Sequence, residues 1–347
     1  MKDLAEYKEE IHSCSKCGLC QSVCPIYKIT GNDCSVSRGH FIMLKGLIKG
    51  DLKMTKKLNR YLDLCLKCGA CSKFCPSDID VVEIIASAKA EYFKSHPSEK
   101  LISLIQRTFI SFLHLIPWTN TKSQKFDKKV IFFSGCKGGR GKWRGKCGLT
   151  KLLNSCSIEV IEPKFNCCGI PFYVRGDRET YEKYKQSFID TIKKYDIKEI
   201  VTTCASCEKT LKGYNIEGLE VKNIYHYLRE NQLKLKLKKP VKVTFHKPCN
   251  IENFEDIKWI LENTENLEYI EMKDFGSCCG LNGITKFKEY SVMSKLFKNK
   301  RKNIIDTKTK IVLTSCLGCE VALSLYSLFK YKTFDLIEFL NQNIKKS

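Results

Sequence analysis

The first hundred residues place their apolar side chains at helical spacing. The stretch FIMLKGLIKGDL has four of them on one face: Phe41, Leu44, Leu47 and Ile48. The stretches TKKLNRYLDL and VVEIIASAKAEYFKSH have the same kind of periodicity. These patterns predict that the first part of the chain is α-helical.

Residues 101–117 continue this periodicity as LISLIQRTFISFLHLIP. Apolar residues recur every three or four positions, and polar residues occupy the opposite face: Ser103, Arg107, Ser111 and His114. The pattern predicts an amphipathic helix that is too short and too polar to span a bilayer. Packing between two domains is the first interpretation of its apolar face, and docking of a membrane subunit is the alternative.

The second half alternates β-branched runs with amphipathic helical stretches, and it does so twice. Three segments recur about 112 residues later: VIFFSGC as VKVTFHKPC, EPKFNCCG as KDFGSCCG, and EIVTTCASC as KIVLTSCLGC. Strands that alternate with helices predict parallel βαβ units. In such sheets, sites form at the carboxyl ends of the strands, where the cysteines of these segments fall. The predicted fold is therefore multidomain, with a helical domain followed by a duplicated α/β domain.

Composition excludes several classes of protein. The 347 residues are 43% hydrophobic and include 19 Phe, 15 Tyr and 3 Trp, so the chain can form cores and is not a disordered basic tail. The N-terminal stretch MKDLAEYKEEIHS lacks the apolar segment of a secretory signal, and the 21 cysteines are odd in number. We therefore expect no disulfide framework, and we expect the thiols to bind metal.

The formal net charge of +22 at pH 7 raises the question of a nucleic-acid partner. However, the lysines are spread along the chain, as in KLKLKLKKP, and form no stripe with stacking aromatic residues. Bound anionic clusters would also reduce the charge. We therefore interpret the lysines as a solvated surface and expect no nucleic-acid partner. The dense basic loop KGGRGKWRGK, residues 137–146, is the candidate contact for an anionic substrate.

Eight cysteines form two runs of C-x₂-C-x₂-C-x₃-C-P, the spacing of two-cluster bacterial ferredoxins. In such runs three thiolates reach one Fe₄S₄ cube, and the fourth, beside the proline, reaches the other cube. We assign the first cluster to Cys14, Cys17, Cys20 and Cys75. We assign the second cluster to Cys65, Cys68, Cys71 and Cys24. Structural zinc is the alternative, but zinc sites use paired cysteine knuckles and have no use for a trailing Cys-Pro.

The first part resembles the α-helical ferredoxin domain, because helices separate its cysteine runs and SVSRGHFIMLKG resembles that domain's S-x-R-G-x pattern. The repeated segments resemble the CCG domain of heterodisulfide reductases. Over residues 10–345, the domain order is similar to the fused iron–sulfur subunit of the methanogen coenzyme B–coenzyme M heterodisulfide reductase. It is also similar to thiol:fumarate reductase and to iron–sulfur subunits of glycolate, lactate and anaerobic glycerol-3-phosphate dehydrogenases.

The resemblance implies that each CCG repeat binds a further, non-cubane cluster through five cysteines. In the first repeat these map to Cys136, Cys167, Cys168, Cys204 and Cys207. In the second repeat they map to Cys249, Cys278, Cys279, Cys316 and Cys319. Conventional cubane clusters at these sites are the alternative, because spacing does not fix the cluster type. Three cysteines have no assigned role: Cys34, Cys147 and Cys156. Cys147 is interpreted as a bystander, with a reactive thiol as the alternative.

The resemblance also implies an oxidoreductase subunit that reduces a heterodisulfide of the coenzyme M–coenzyme B type to two thiols. Electrons would be relayed through the two [4Fe-4S] clusters. The chain has no G-x-G-x-x-G fingerprint, so flavin or haem would belong to a partner, which is a membrane cytochrome, a hydrogenase or a flavoprotein. The presence of all ten CCG cysteines favours disulfide chemistry.

Two other functions are weighed beside this one. The first is an electron-transfer subunit of a flavin-dependent glycolate, lactate or glycerol-3-phosphate dehydrogenase. The second is a basic binding protein with a redox-sensing cluster, and only the net charge favours it.

His246, in the segment HKPC, is the candidate proton donor, because histidine titrates near neutral pH and this one lies three residues before Cys249. The alternative is that it caps the turn or bonds to a cluster sulfide. His226 falls in a helical run and is expected to be structural.

The predicted domains are an α-helical ferredoxin domain in residues 1–98, an amphipathic linker in 99–128, and CCG repeats in 129–240 and 241–347. We expect the chain to work in the cytoplasm, with attachment to the inner face of a membrane through a partner subunit.

Overall fold

The structure is a computed structural model that describes residues 2–115, 124–137, 145–281 and 290–345. Two compact units divide the chain between them. The first unit comprises Met1–Gln106, Pro171–Tyr181 and Ser277–Lys300. The second unit comprises Arg107–Ile170, Glu182–Gly276 and Arg301–Ser347.

The N-terminal part of the first unit is helical. Its helices are α1 (Lys8–His12), α2 (Leu19–Val23), α3 (Pro25–Thr30), α4 (Ser37–Lys49), α5 (Lys56–Leu64), α6 (Ala70–Lys73), α7 (Val81–Ser95) and α8 (Pro97–Leu115), with 3₁₀ turns at Leu4–Tyr7 and Asp33–Ser35. The three stretches with helical periodicity form α4, α5 and α7. The predicted helical character of this part is therefore confirmed.

Local signals fix the ends of these helices. The carboxylate of Asp80 accepts hydrogen bonds from the backbone N–H groups of Val82 and Glu83, at 3.0 and 3.1 Å, and so caps α7. Gly50 adopts the left-handed region at φ +84° and ends α4. The apolar faces then form one core with fully buried centres: Ile11, Leu44, Leu62, Ile84 and Ile85. Four cysteines of the two runs pack against this core: Cys14, Cys65, Cys71 and Cys75.

Helix α8 buries polar side chains and exposes apolar ones, which is the reverse of what the packing interpretation requires. Its polar side is held inside the first unit, where Arg175 donates to the Glu99 carboxylate at 2.9 Å and Ser103 donates to Asp177. The large apolar side chains of the other side are 47–61% exposed: Leu101, Leu104, Ile105, Phe109 and Phe112. The packing interpretation of this apolar face is therefore wrong, because the buried polar contacts fix the opposite side inward. Within the described ranges, the helices are all too short or too polar to cross a bilayer.

The second unit contains two parallel sheets of four strands each. The strands of the first sheet are β1 (Lys128–Phe132), β2 (Ile158–Ile161), β3 (Glu199–Thr202) and β4 (Glu220–Asn223). The strands of the second sheet are β5 (Leu235–Phe245), β6 (Thr264–Tyr269), β7 (Ile311–Thr314) and β8 (Lys332–Asp335). The strand orders are β2-β1-β3-β4 and β6-β5-β7-β8, and every pairing is parallel. The predicted parallel α/β character is confirmed.

Helices follow the strands along the chain. They are α9 (Gly145–Asn154), α10 (Ile170–Tyr173), α11 (Arg178–Ile192), α12 (Ala205–Lys212), α13 (Ile224–Glu230), α14 (Glu255–Asn263), α15 (Tyr290–Asp306), α16 (Leu317–Tyr326) and α17 (Leu336–Asn343), with a 3₁₀ turn at Gly135–Lys137. Helix α9 packs closely on α17, since a Cβ added at Gly148 would lie 2.3 Å from the Cβ of Asn341. One hydrophobic core therefore serves both sheets, and its central strand residues are fully buried: Val130, Val201, Val243 and Leu313.

Both sheets bring cysteines to the point where the strand order reverses. The chain leaves β1 toward β2 on one side and returns to β3 on the other, and β5, β6 and β7 repeat this path. In open α/β sheets the crevice at such a reversal binds ligands, at the carboxyl ends of the strands. Cys136 and Cys204 follow β1 and β3, and Cys249 and Cys316 follow β5 and β7. The topology alone therefore points to one site at each sheet.

Candidate metal centres

The cysteines of the two runs line two cavities in the first unit. The first cavity is lined by Cys14, Cys17, Cys20 and Cys75, and also by Cys71. The second cavity is lined by Cys24, Cys65, Cys68 and Cys71. The fourth cysteine of each run thus lies with the first three of the other run. The chain turns directly after Cys24, because Pro25 is the first residue of α3.

The two cysteine loops have the same backbone shape. Lys16 and Lys67 adopt the left-handed region, at φ 58° and 52°. Gly18 and Gly69 follow two residues later at φ 86° and 72°, where a side chain would be strained. These repeated left-handed residues curl each loop tightly, as three cysteines around one cavity require.

Hydrogen-bond donors in the first unit face cysteine sulfurs. The backbone N–H of Tyr27 donates to the Sγ of Cys24 at 3.5 Å, and the Ser37 hydroxyl bonds to Cys71. Burial raises the pKa of Cys24 and raises that of Cys71 to about 12. These thiols are therefore protonated in the metal-free chain, and metal binding would release their protons.

A buried cation lies on the wall of the second cavity. The ammonium group of Lys67, which is 7% exposed, donates to the backbone carbonyl of Cys65 at 3.3 Å. Burial lowers the pKa of Lys67 to about 8. Asp63 and Lys89 form a buried ion pair beside it. Sequence reasoning did not single out Lys67, and the available signal was its place between two cysteines in CLKC.

The five cysteines of the first CCG repeat gather at the end of the first sheet. The Sγ atoms of Cys136 and Cys167 lie 3.2 Å apart. Cys168 hydrogen-bonds with Cys167 and Cys207, and Cys207 also hydrogen-bonds with Cys204. The hydrogen bonds from its two neighbours hold the pKa of Cys168 well below its ordinary value.

Gly135 makes room for this first CCG site. A Cβ added at Gly135, which has φ +54°, would lie 3.0 Å from the Sγ of Cys207. The Tyr214 hydroxyl donates to the backbone carbonyl of Cys168 at 2.7 Å and so holds the CCG turn. Both contacts were missed by sequence reasoning, since only the fold brings these residues together.

The second CCG repeat distributes its cysteines over both compact units. Cys249, Cys316 and Cys319 belong to the second unit, where Cys316 and Cys319 hydrogen-bond to each other. Cys278 and Cys279 belong to the first unit. There the Cys278 thiol is close enough to Cys68 to raise the pKa of Cys68, after the larger effect of burial.

The two C-x-x-C segments meet within the second unit. Cys204 and Cys316 are the N-cap residues of α12 and α16, and their side chains hydrogen-bond to each other. The hydroxyl of Ser206 lies 3.5 Å from the Sγ of Cys316, and the Asn250 side-chain amide donates to the Ser206 hydroxyl at 3.2 Å. These hydrogen bonds hold the pKa of Cys316 well below its ordinary value, with Cys204 as the largest cause.

The two histidines from the sequence lie in different environments. His246 is fully buried at the end of β5, and one of its ring nitrogens lies within 4.8 Å of the Cys319 Sγ. Its backbone N–H donates to the carbonyl of Leu313 at 2.8 Å. His226, on the surface of α13, lies 3.6 Å from the Asp256 carboxylate.

Of the three cysteines without an assigned role, the structure describes the side chains of Cys34 and Cys156. The backbone N–H of Cys34 donates to the Asn32 side chain at 2.9 Å. Cys156 packs against the core of the second unit, and burial raises its pKa. The side chain of Cys147 and most of the basic loop, residues 138–144, lie outside the described residues.

The donor sets fit iron–sulfur clusters. The two cavities of the first unit are lined by five and four cysteines, with Cys71 common to both. The first CCG site offers five sulfurs, four of them on buried cysteines, with no carboxylate among the predicted ligands. Sulfur-only sets suit iron–sulfur clusters or zinc, and hydrogen bonds to cluster sulfurs are a usual feature of the former.

Matches to two sequence families indicate iron–sulfur clusters rather than zinc. A 4Fe-4S dicluster domain family matches residues 10–79, and a cysteine-rich domain family, CCG, matches residues 130–212 and 243–324. The chain is an iron–sulfur protein with one dicluster domain and two CCG domains. The number and type of clusters at the CCG sites are a separate question.

Several relatives match most of the chain. An uncharacterized iron-sulfur protein of Methanocaldococcus jannaschii is 29% identical over 91% of this chain and 68% of its own length. A subunit of the dihydromethanophenazine:CoB–CoM heterodisulfide reductase of Methanosarcina acetivorans is 23% identical over 90% of this chain and 88% of its own length. The probable glycolate oxidase iron-sulfur subunit of Bacillus subtilis is 23% identical, over 92% and 91%.

A solved structure has the same overall fold. The crystal structure of a hypothetical protein from Helicobacter pylori matches 99% of this chain and 76% of its own, with a TM-score of 0.54 and 12% sequence identity. The named relatives are subunits of oxidoreductases. An iron–sulfur oxidoreductase subunit is the function that these findings support.

Proposed function

We propose that the chain is the catalytic iron–sulfur subunit of a heterodisulfide reductase-like enzyme. The reaction is R–S–S–R′ + 2 e⁻ + 2 H⁺ → R–SH + R′–SH, with a coenzyme M–coenzyme B type disulfide as substrate. The electrons come from a partner subunit that is a membrane cytochrome, a hydrogenase or a flavoprotein. The observation that carries the proposal is the contact between the two C-x-x-C segments, at Cys204, Ser206 and Cys316.

The proposed ligands follow the sequence assignments. Cubane [4Fe-4S] clusters are assigned to the two cavities of the first unit, and non-cubane [4Fe-4S] clusters to the five-cysteine sets of residues 129–240 and 241–347. When bound, these groups would supply single electrons and iron sites for sulfur. The helical domain would conduct, and the two repeats would hold the substrate.

The residues around the junction support disulfide chemistry in particular. Cleavage produces two sulfur atoms that must both be held, and Cys204 and Cys316 bring the C-x-x-C segments of the two repeats together within the second unit. The N-termini of α12 and α16 stabilise negative charge on these sulfurs. Ser206 and Asn250 add hydrogen-bonding groups beside Cys316.

His246 is the proposed proton donor. Its ring lies within 4.8 Å of the Cys319 sulfur, inside the second unit, and imidazole can transfer a proton near neutral pH. A His246→Gln variant should keep its iron but lose turnover, and the loss should be smaller at low pH. Equal turnover in the variant would contradict the assignment.

The proposed partner site is the exposed apolar side of α8. The relatives are named as subunits, and five large apolar side chains of this helix are exposed. Phe109→Asp should weaken co-purification with the electron-donating subunit, whereas Phe329→Asp, at another exposed apolar residue, should not. Equal co-purification of both variants would contradict the site. Attachment in this way would place the chain in the cytoplasm, at the inner face of a membrane.

Anaerobic purification with iron and sulfide counts tests the proposal, followed by oxidation of reduced viologen by the coenzyme M–coenzyme B heterodisulfide. About sixteen irons per chain with turnover would support the proposal. A count of about eight irons would contradict it, because the two cubane clusters would account for all of the iron.

The second candidate is an electron-transfer subunit of a flavin-dependent 2-hydroxy-acid or glycerol-3-phosphate dehydrogenase. The similarity to the Bacillus subtilis glycolate oxidase iron-sulfur subunit favours it. In that case the chain would accept electrons from a reduced flavoprotein and would show no turnover with any disulfide.

A further inference from the structure

The two cavities of the dicluster domain differ in one charged side chain. Lys16 lies between Cys14 and Cys17, and Lys67 lies in the matching place between Cys65 and Cys68, with nearly the same φ. Lys16 is exposed to solvent, whereas Lys67 is buried. The two loops therefore have one backbone design and two electrostatic environments.

The charges around Lys67 leave this side of the second cavity electropositive. The ammonium group of Lys67 donates to a carbonyl oxygen, that of Cys65. The neighbouring carboxylate, Asp63, is already in a buried ion pair with Lys89 and also accepts from Asn59 at 3.1 Å. Among the described residues, the buried ammonium groups of Lys67 and Lys89 thus both lie near the Asp63 carboxylate. A buried cation is costly unless an opposite charge compensates for it.

A cluster bound in the second cavity would supply that opposite charge. Four thiolates outweigh the positive charge of an iron–sulfur core, and net charge and nearby groups set the reduction potential of such clusters. Reduction adds one more negative charge. A buried ammonium beside the ligands stabilises this reduced state more than an ammonium in water does, since water screens the exposed charge.

We infer that Lys67 is a positioning charge that makes the cluster of Cys24, Cys65, Cys68 and Cys71 the higher-potential member of the pair. An electron shared by the two cubane sites then resides mainly at this cluster. Its ligand Cys68 interacts with Cys278 of the second CCG repeat. The charge therefore directs electrons toward the CCG side of the dicluster domain. This inference rests on the dicluster domain and holds for either proposed function.

Redox titration of the full chain, followed by low-temperature EPR, tests the inference. Lys67→Gln should lower one of the two cubane midpoint potentials, with about a tenfold change in the distribution of an electron between the clusters, which is about 59 mV for one electron. Lys67→Arg keeps the charge, so the distribution of the electron between the clusters should stay within about threefold of that in the unmodified chain. In Lys16→Gln, the matched exposed variant, the distribution should also stay within about threefold.

Three outcomes would overturn the inference. They are unchanged potentials in Lys67→Gln, an equal shift in Lys16→Gln, and an equal shift in Lys67→Arg, which would assign the effect to packing. If Lys67→Gln does not retain iron, Asp63→Asn provides the opposite test, because it removes a buried negative charge beside the same cluster. It should raise one midpoint potential, and a fall or no change would overturn the inference.

Discussion

The hydroxyl oxygen of Ser206 lies 3.5 Å from the sulfur of Cys316, so a residue inside the C-x-x-C segment of one repeat touches a cysteine of the other. Gly318 takes the corresponding place in the second repeat and has no side chain to return the contact. The junction between the repeats is therefore chemically asymmetric, although the two sheets have the same strand order.

Ser206→Ala should weaken metal binding by Cys316, a candidate ligand of the second CCG repeat. The change removes a hydrogen bond to Cys316, and such a bond to a charged sulfur is worth about 1.5–3 kcal/mol. Iron should pass to a chelator roughly tenfold faster, measured anaerobically by absorbance. Ser155→Ala is the matched control, because its hydroxyl bonds only to carbonyls of its own helix in the described structure. Equal release rates in the two variants would contradict the role of Ser206.

Gly135→Ala should remove the first CCG cluster and spare the cubane sites. The new Cβ would lie 3.0 Å from the Cys207 sulfur and 3.2 Å from the Phe133 ring, at a backbone φ of +54°. We expect the iron count to fall by about a quarter, with unchanged cubane EPR signals. Gly31→Ala is the control, since Gly31 also has a positive φ but no atom within 4 Å of an added Cβ. A full iron count in Gly135→Ala would show that the close approach is not required.

Arg175→Met should destabilise the first unit strongly. It leaves the Glu99 carboxylate buried without the guanidinium that lies 2.9 Å away, where both side chains are at most 6% exposed. Breaking a buried pair costs about 3–5 kcal/mol in the free energy of unfolding. Lys242→Met breaks the exposed pair with Glu268 and should cost less than about 1 kcal/mol. Urea denaturation of the cluster-loaded proteins measures both changes. Similar losses of unfolding free energy in the two variants would contradict the expected difference between the buried and the exposed ion pair.

His40 should make the stability of the helical domain depend on pH. Burial lowers the pKa of His40 to about 4, and its Nε2–H donates to the Tyr61 carbonyl at 3.1 Å. The unfolded chain binds the proton at about pH 6.5 and below, so stability is full above that pH and falls as the pH drops toward 4. Through His40, the free energy of unfolding should fall by about 1.4 kcal/mol between about pH 7.5 and about pH 5.5.

His40→Gln provides the comparison for this pH effect. Glutamine keeps a hydrogen-bond donor and cannot titrate, so the variant should lose less stability over the same pH interval. Urea denaturation at the two pH values under anaerobic conditions measures the difference. Identical pH dependence in both proteins would show that His40 contributes nothing.

The sequence predicts the parts of this fold whose signals are local. The periodicity of Phe41, Leu44 and Leu47 predicts α4, and the β-branched runs before the cysteines predict β1, β3, β5 and β7. The edge strands β2, β4, β6 and β8 were not predicted. Polar residues predominate in β4, β6 and β8, and none of the four edge strands ends within four residues of a cysteine. The direction in which α8 faces was missed for a different reason. Its inward side is fixed by Arg175 and Asp177, which are distant from this helix in the sequence.

The candidate sites likewise combine ligands that the sequence predicts with contacts that only the fold reveals. Cysteine spacing is local and predicts the eight candidate ligands of the dicluster domain, whereas the ten CCG candidates follow from the resemblance to a family. The contacts of Ser206 with Cys316 and of Gly135 with Cys207 join distant segments, so spacing could not reveal them. The burial of Lys67 and the exposure of Lys16 likewise depend on the core around each loop, although the two loops have similar sequences.

The central claim is that the two CCG sites act on a thiol or disulfide. Low-temperature EPR of the anaerobically purified chain, recorded while coenzyme M is added to the oxidised protein, tests it most directly. We expect a paramagnetic signal that appears only with the thiol and is lost in a Cys316→Ser variant. Cubane-type signals alone, unchanged by the thiol, would contradict it.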